Sequence, residues 1–483
     1  MLEYQPQTVK LRGLSAESFL DSLNSAVPRT LEEAQPSKGL EGLPGPRNKP
    51  TTQQPVKARE KEASEISSAS VVYPLRQYPI LRGPNVLVKE SHALPLISLG
   101  IFFPGGRVFE NRHNSGITEL MLRTALKGTR GLKSSRIMAS FENLGLRFEL
   151  KDEPDFFGYV LTGLSENFQD SVETLLEIVK HPTFDKEEIE KEKALLRADA
   201  AQLADNNLLY PQQLFLQALY GEHPYGLPAF GSKETIATLT QADLVTWHER
   251  FVKNTIPVVV IAGDTEGSSF AARLSNQFSS SDLLAVDLKK ALPVKRLDSA
   301  QKRVETREHK QTATVIGFLG PPADSPACNS LTVLQNMISG LGGRFVDELR
   351  ERQGLAYTVT ACQRKHALGG AFYCYVATAT ENEQRAVDSL REQFGRLMAV
   401  SPSDDELSRA KNHSVIVYQI RLQQRMEQVL EYARSAIYGK TLDEIKQYPQ
   451  EIQMIDQDMI RDAAMKYFDL ERSAVGQVRG LAK

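Results

Sequence analysis

The chain is poor in the residue patterns that would make its chemistry obvious. It has only three cysteines, Cys328, Cys362 and Cys374, and none stands in a CxxC pair. That excludes a disulfide framework and a thiolate zinc site, and leaves ordinary buried thiols as the expectation. Long hydrophobic runs are missing too: the longest, around residues 94–104, falls far short of the roughly 20 residues a membrane span requires. Charge of one sign is not in excess, with 58 Lys+Arg against 60 Asp+Glu and a formal net charge of −2. Such a balance excludes a dominant nucleic-acid role and supplies no field steering the protein towards membranes. The opening stretch MLEYQPQTVKLRGLSAESFL has no basic-then-apolar leader, and Glu3, Glu17 and Asp21 do not suit a presequence. The expectation is a soluble chain without signal peptide, presequence or transmembrane segment. There is no GxxxxGK[ST] loop and no dinucleotide fingerprint. No Ser/His/Asp or Cys/His set can be assembled from local context.

What is present is substantial. A length of 483 residues accommodates two or three domains with sizeable cores. Residues 1–72 stand apart. Positions 15–26 pattern as a short amphipathic helix with Phe19, Leu20 and Leu23 on one side. The stretch 36–69 is rich in Pro, Gly and charge and reads as a flexible arm. From residue 73 onwards the pattern is globular. Residues 84–88 and 94–103 read as strands, 134–144 as a helix, then 146–150 and 156–164 as strands. Residues 167–179 and 186–204 are amphipathic helices, the second with Glu188, Glu192, Lys191 and Lys193 placed on solvated faces. PVVVIA at 257–262 is a buried strand that closes this unit.

The same grammar then starts again. TVIGF at 314–318 resembles 98–102, FYCYVATA at 372–379 matches 157–164, and Glu406 and Lys411 fall opposite Glu188 and Lys193. Anchors recurring at one offset of about 215 residues indicate an internal duplication. The domains expected are an N-terminal arm at 1–72, a first unit at 73–285 and a second at 300–483. The fold class expected is α+β.

The organising stretch is GITELMLRTALKGT at 116–129. It resembles the metal-binding helix of peptidases of the pitrilysin/insulinase type, the inverzincins, which reads roughly G-x-A-H-F-L-E-H-M-x-F-K-G-T. In that family two His, four residues apart on one helical face, bind Zn²⁺, and the intervening Glu is the general base. With Gly116 on the leading glycine and Lys127-Gly128-Thr129 on the closing K-G-T, the first ligand position is Glu119. The base position is Leu122 and the second ligand position is Arg123. The family's third ligand is a Glu on a later helix; the same spacing beyond Arg123 lands on Asp199. None of Glu119, Leu122 and Arg123 can do the original work, and one surviving carboxylate does not make a zinc site. Two alternatives stay open for this group: a solvated helix face with an i,i+4 pair, or an arginine in the vacated metal position bridging Glu119 and Asp199, a +1 side chain in place of a +2 ion.

A second stretch, GLGGRFVDELRERQGLAYTV at 340–359, is similar to the family's C-terminal segment, roughly G-x-x-S-R-L-F-x-x-L-R-E-x-x-G-L-A-Y-S-V. Arg350 and Tyr357 fall on the family's Arg/Tyr pair. The resemblance implies that these two donate hydrogen bonds to a substrate peptide and to the developing oxyanion across the cleft from zinc. The glycines of SGLGGR are read as a backbone turn, and His223 in GEHPYG as a packing residue. The family's peptide-binding edge strand corresponds to 146–150, where its usual small polar residues are absent.

The resemblance covers residue 72 to the C-terminus. It implies two homologous α/β-sandwich halves forming half of a clamshell, and a zinc-lacking, non-catalytic subunit of a bacterial heterodimer. The partner implied is a homologous HxxEH-bearing chain that holds the zinc, with Arg350 and Tyr357 supplied in trans to a peptide substrate; no cofactor is expected on this chain. The compartment implied is bacterial cytoplasm or envelope. Two other roles stay open: a scaffold akin to the core subunits of respiratory cytochrome complexes or of processing peptidase, and a stand-alone peptide-binding protein.

Overall fold

The computed structural model describes residues 74–79, 83–278, 283–340 and 342–481. The arm expected at 1–72 and the helix within it lie outside these residues. The strands are β1 (Leu75–Pro79), β2 (Asn85–Glu90), β3 (Leu96–Pro104), β4 (Arg147–Asp152), β5 (Phe156–Leu164), β6 (Val258–Gly263), β7 (Gln301–Arg307), β8 (Gln311–Leu319), β9 (Thr358–Arg364), β10 (Ala371–Ala379) and β11 (Ala474–Gly480). The helices used below are α1 (Ile117–Ala125), α2 (Ser134–Asn143), α3 (Phe168–Lys180), α4 (Lys186–Ala204), α5 (Leu209–Tyr220), α6 (Ala327–Ile338), α7 (Asp404–Arg421) and α8 (Arg425–Ile437).

Two mixed sheets form, in the orders β1-β2-β6-β3-β5-β4 and β7-β11-β8-β10-β9. Their interior logic is the same. In the first, β2 runs parallel to β6, and β6, β3, β5 and β4 follow antiparallel. In the second, β7 runs parallel to β11, and β11, β8, β10 and β9 follow antiparallel. Five strands therefore repeat one order and one sense, and β1 is an addition at the edge of the first sheet. The fold is α+β, with the duplication visible in its topology. Central strands β3 and β10 are covered on both faces, which accounts for their unbroken apolar character. The strand at 257–262, expected to close the first unit, lies inside the sheet between β2 and β3: it returns along the chain last but pairs parallel with β2, so its buried VVVIA run is an interior one.

Each sheet is covered on one face by a helix from the other part of the chain. Helix α5 packs Phe215, Leu216 and Leu219 against Val315, Tyr373 and Tyr375 of the second sheet. Helix α8 packs Val429, Leu430 and Ala433 against Phe102, Phe156, Val160 and Val260 of the first. Both approaches need a glycine beneath the helix. A Cβ on Gly476 would sit 2.1 Å from the Phe215 nitrogen, and one on Gly100 would sit 2.4 Å from Val429 Cγ1. The exchange welds the two sheets through apolar surface.

Candidate functional site

Helix α1 starts at Gly116, whose φ of 89° is left-handed. A side chain there would also meet the backbone of Gly231, with the nitrogen at 2.8 Å, so glycine is required twice over. The helix has no cap from its own N-cap side chain. Glu110 supplies it, its carboxylate accepting from the N–H groups of Gly116 and Thr118 at 3.0 Å each. Burial pushes the Glu110 carboxyl up, against the pull of these hydrogen bonds and of Arg107.

All nine residues of α1 are buried, so the solvated-face alternative for Glu119 and Arg123 does not hold. Arg123 donates from Nε to Glu119 Oε1 at 2.6 Å and from Nη1 to Asp199 Oδ2 at 2.6 Å. Its guanidinium also lies 5.8 Å from the Phe230 ring centroid. Burial pulls the arginine down, but Glu119 and Asp199 outweigh it and hold it above its ordinary range. Asp199 is carried by α4, which packs along α1. Leu122 points into the apolar core with Leu120 and Met121, the reverse of what a general base needs.

The solvated placement of Glu192 and Lys193 on α4 is corrected. Both are buried, 3 and 4 % exposed. Glu192 accepts from Lys127 at 2.8 Å and Lys193 pairs with Glu190 at 2.7 Å. Lys127 belongs to the K-G-T end of the motif, so that tripeptide clamps α4 beside the site. Charge spacing along one helix does not reveal an ion partner contributed by another. Asp152, at the end of β4, was likewise not singled out: burial holds its carboxyl well above the usual range, Arg107 opposes this, and Glu119 and Glu110 add to it.

The zinc that the motif's ancestry implies does not fit these residues. The positions of its two imidazoles carry a carboxylate and a guanidinium that already satisfy each other. Among the described residues, no group of three His, Cys, Asp or Glu side chains could hold a metal ion.

The second constellation is built differently. Arg350 lies in a π-helical turn, Asp347–Arg352, a local widening often met at functional sites. Its side chain is half exposed, and among the described residues Nε reaches only Glu351, at 3.5 Å. Tyr357 precedes β9, donates its backbone N–H to Ala377 O at 2.9 Å and is 61 % exposed. The segment is anchored by Arg344, whose Nε and Nη2 fork onto Glu406 of α7 at 2.5 and 2.6 Å. The glycines ahead of it turn the backbone, with Gly340 at φ 91° and Gly343 N–H bonded to its carbonyl. Anchored backbone thus carries two outward-facing donors.

The sheet edges differ as well. On β9 the outward N–H groups of Ala361 and Gln363 are taken by Ser339 Oγ at 2.7 Å and Gln335 Oε1 at 2.8 Å. The β4 edge, which corresponds to the expected peptide-binding strand, carries Glu149 and Lys151 buried against each other at 2.8 Å. His223 packs as expected, its Nε2 2.6 Å from Leu292 O and its Nδ1 accepting from Tyr225 N–H. All three cysteines are buried.

Similarity to known proteins places the chain in one family. The family model described as insulinase (peptidase family M16) matches residues 85–233, and that described as the peptidase M16 inactive domain matches residues 238–414. The chain belongs to the insulinase (M16) family. It is similar to an uncharacterized zinc protease of Bacillus subtilis, YmxG, with 22% identity over 377 residues, covering 77% of this chain and 91% of that one. It is also similar to a protein of Helicobacter pylori described as the non-peptidase homolog YmxG, with 22% identity over 332 residues and coverage of 68% and 76%. In fold it matches the crystal structure of a peptidase M16 inactive domain from Pseudomonas fluorescens, with a TM-score of 0.76, 21% identity, and coverage of 84% of this chain and 98% of that one. Within the M16 family the chain is a non-catalytic member, and its helix α1 carries a buried ion bridge. Among the described residues no helix is long and apolar enough to cross a membrane.

Proposed function

We propose that this chain is the non-catalytic subunit of a heterodimeric M16 peptidase, with residues 73–285 and 300–483 as its two units. Its partner is a homologous chain that bears an intact HxxEH helix and holds the zinc, and its substrate is a peptide or unfolded polypeptide. Arg350 and Tyr357 complete the partner's site in trans. The guanidinium orients the peptide, and the phenol donates a hydrogen bond to the oxygen that becomes negative in the tetrahedral intermediate.

The observation that carries this reading is the contrast between two sets of residues. Arg123 is consumed internally by Glu119 and Asp199, whereas Arg350 and Tyr357 are held on anchored backbone with their polar ends outward. A half-exposed arginine and an exposed tyrosine contribute little to the stability of an isolated chain, and they fit a task at an interface. The test is peptide cleavage by the two-chain complex carrying Tyr357→Phe. A fall in kcat of about a hundredfold or more is expected for loss of one oxyanion donor, with assembly unchanged; cleavage at the wild-type rate would remove Tyr357 from the reaction.

A further inference from the structure

One buried group outside both sites gathers contacts from both the first and the second part of the described chain. The turn between β4 and β5 is Glu153-Pro154-Asp155, closed by the Glu153 N–H on Phe156 O at 2.9 Å. Asp155 is fully buried. Its Oδ1 accepts from the Tyr225 hydroxyl. Its Oδ2 accepts from the Ala367 N–H at 2.9 Å and from the Tyr438 hydroxyl at 2.8 Å. Ala367 lies in the turn between β9 and β10, and Tyr438 caps α8, so both belong to the second part of the chain. His366 Nδ1 stands 3.9 Å away. Beside it, Arg434 of α8 reaches Glu153 at 3.5 Å.

The backbone of this turn faces the other way. Asp155 O accepts from Gly105 N–H at 2.7 Å, and Pro154 O from Val108 N–H at 2.8 Å. Those residues flank Arg107, whose Nη1 reaches Asp152 O at the end of β4 at 3.5 Å, and they lead directly to Glu110, which caps α1. Hydrogen bonds, joined by short stretches of chain, therefore link the second sheet's turn and α8, through residues 153–155, to the edge strand and to the N-terminal end of α1.

We propose that Asp155 is a positioning residue that couples the two halves: it seats the 153–155 turn on Tyr438 and Ala367, and the seated turn sets the placement of β4 and of the N-terminal end of α1. A carboxylate suits this role because both oxygens accept, and all three of its hydrogen-bonding partners donate. In Asp155→Asn the amide NH₂ would confront one of these donors. The inference goes beyond the heterodimer reading and stands or falls on this chain alone.

Hydrogen exchange of the full-length chain tests it, with Tyr438→Phe as the main variant because it deletes one hydroxyl and leaves the packing. Tyr210→Phe is the control, since its hydroxyl also meets a carboxylate of the second part, Glu305 at 2.5 Å, but away from the turn. Exchange in β4 and in residues 105–118 should rise by about tenfold in Tyr438→Phe, and further in Asp155→Asn, while the strands β8 and β10 keep their protection. The control should leave β4 unchanged. Acceleration shared equally by all strands, or confined to α8, would reduce Asp155 to a stabilising contact and overturn the proposal, even if Asp155→Asn fails to fold.

Discussion

Arg123 lies 2.6 Å from Glu119 on its own helix and 2.6 Å from Asp199 on α4, and so holds together the two helices that a metal would hold in a catalytic relative. Two anions and one buried cation form a compact group, with neither Glu119 nor Arg123 more than a tenth exposed. Removing the arginine would leave the buried Glu119 carboxylate unpaired and facing that of Asp199, which is a fifth exposed. Arg123→Ala is expected to cost about 3–5 kcal/mol, the usual penalty for breaking a buried pair. Arg123→Lys should fall between, because it keeps the charge but not the fork. Urea unfolding midpoints measure both; a loss below about 1 kcal/mol for the alanine variant would mean that the bridge is a solvated surface pair.

The placement of Glu119, Arg123 and Asp199 on α1 and α4 predicts that a zinc site can be installed there by substitution. Glu119→His together with Arg123→His places two imidazoles one turn apart opposite the Asp199 carboxylate, a three-ligand set suited to Zn²⁺. The double variant should bind one zinc per chain by calorimetry. Adding Asp199→Ala should abolish that binding. If the double variant folds and binds no zinc, α1 and α4 are not spaced as a metal site.

Gly116 bears both a left-handed backbone and a close approach to Gly231. Gly116→Ala should destabilise by more than about 1 kcal/mol from the backbone alone, and further from the contact. Gly145 has a similar φ of 64° but open space around its missing Cβ. Gly145→Ala should therefore lose only the backbone part, and thermal unfolding of the two variants compares them directly.

His366 is buried beside Arg364, Arg107, Arg434 and the ring of His223, with Asp155 nearby; burial first, then the neighbouring positive charge, Arg364 foremost, hold it well below its ordinary value. The folded state binds its proton less readily than the unfolded chain. Stability contributed by keeping this ring neutral is therefore complete above about pH 6.5, the unfolded value, and is lost as pH falls below it. The difference in unfolding free energy between wild type and His366→Gln should shift against the wild type by up to about 1.4 kcal/mol per pH unit below 6.5. A difference that stays constant from pH 7.5 to 5 would show that the ring is already protonated or accessible.

Much of the fold was legible because its strands are apolar runs bounded by turns and its longest helix has clear ends. Residues 186–204 and 156–164 were placed to the residue. What escaped was whatever depends on a partner far along the chain. The strand β7 reads QKRVETR and is largely exposed, so it has no apolar signature; it is defined by pairing with β11 at the other end of the unit. The burial of Glu192 and Lys193 depends on Lys127 and on the packing of α1, which no helical periodicity reports. The positions of Glu119, Arg123 and Asp199 were readable from the motif, but their arrangement as a bridge needed the two helices side by side. Asp155 gave no signal: an Asp after Pro in a turn is the ordinary choice of turn residue.

The central claim is that this chain completes another chain's active site. Gentle affinity purification from the native source, followed by peptide cleavage with and without a chelator, tests it most directly. The account predicts a co-purifying chain with an intact HxxEH helix, and chelator-sensitive cleavage by the pair that neither chain shows alone. Recovery of this chain by itself or within a membrane complex, with no cleavage, would contradict it.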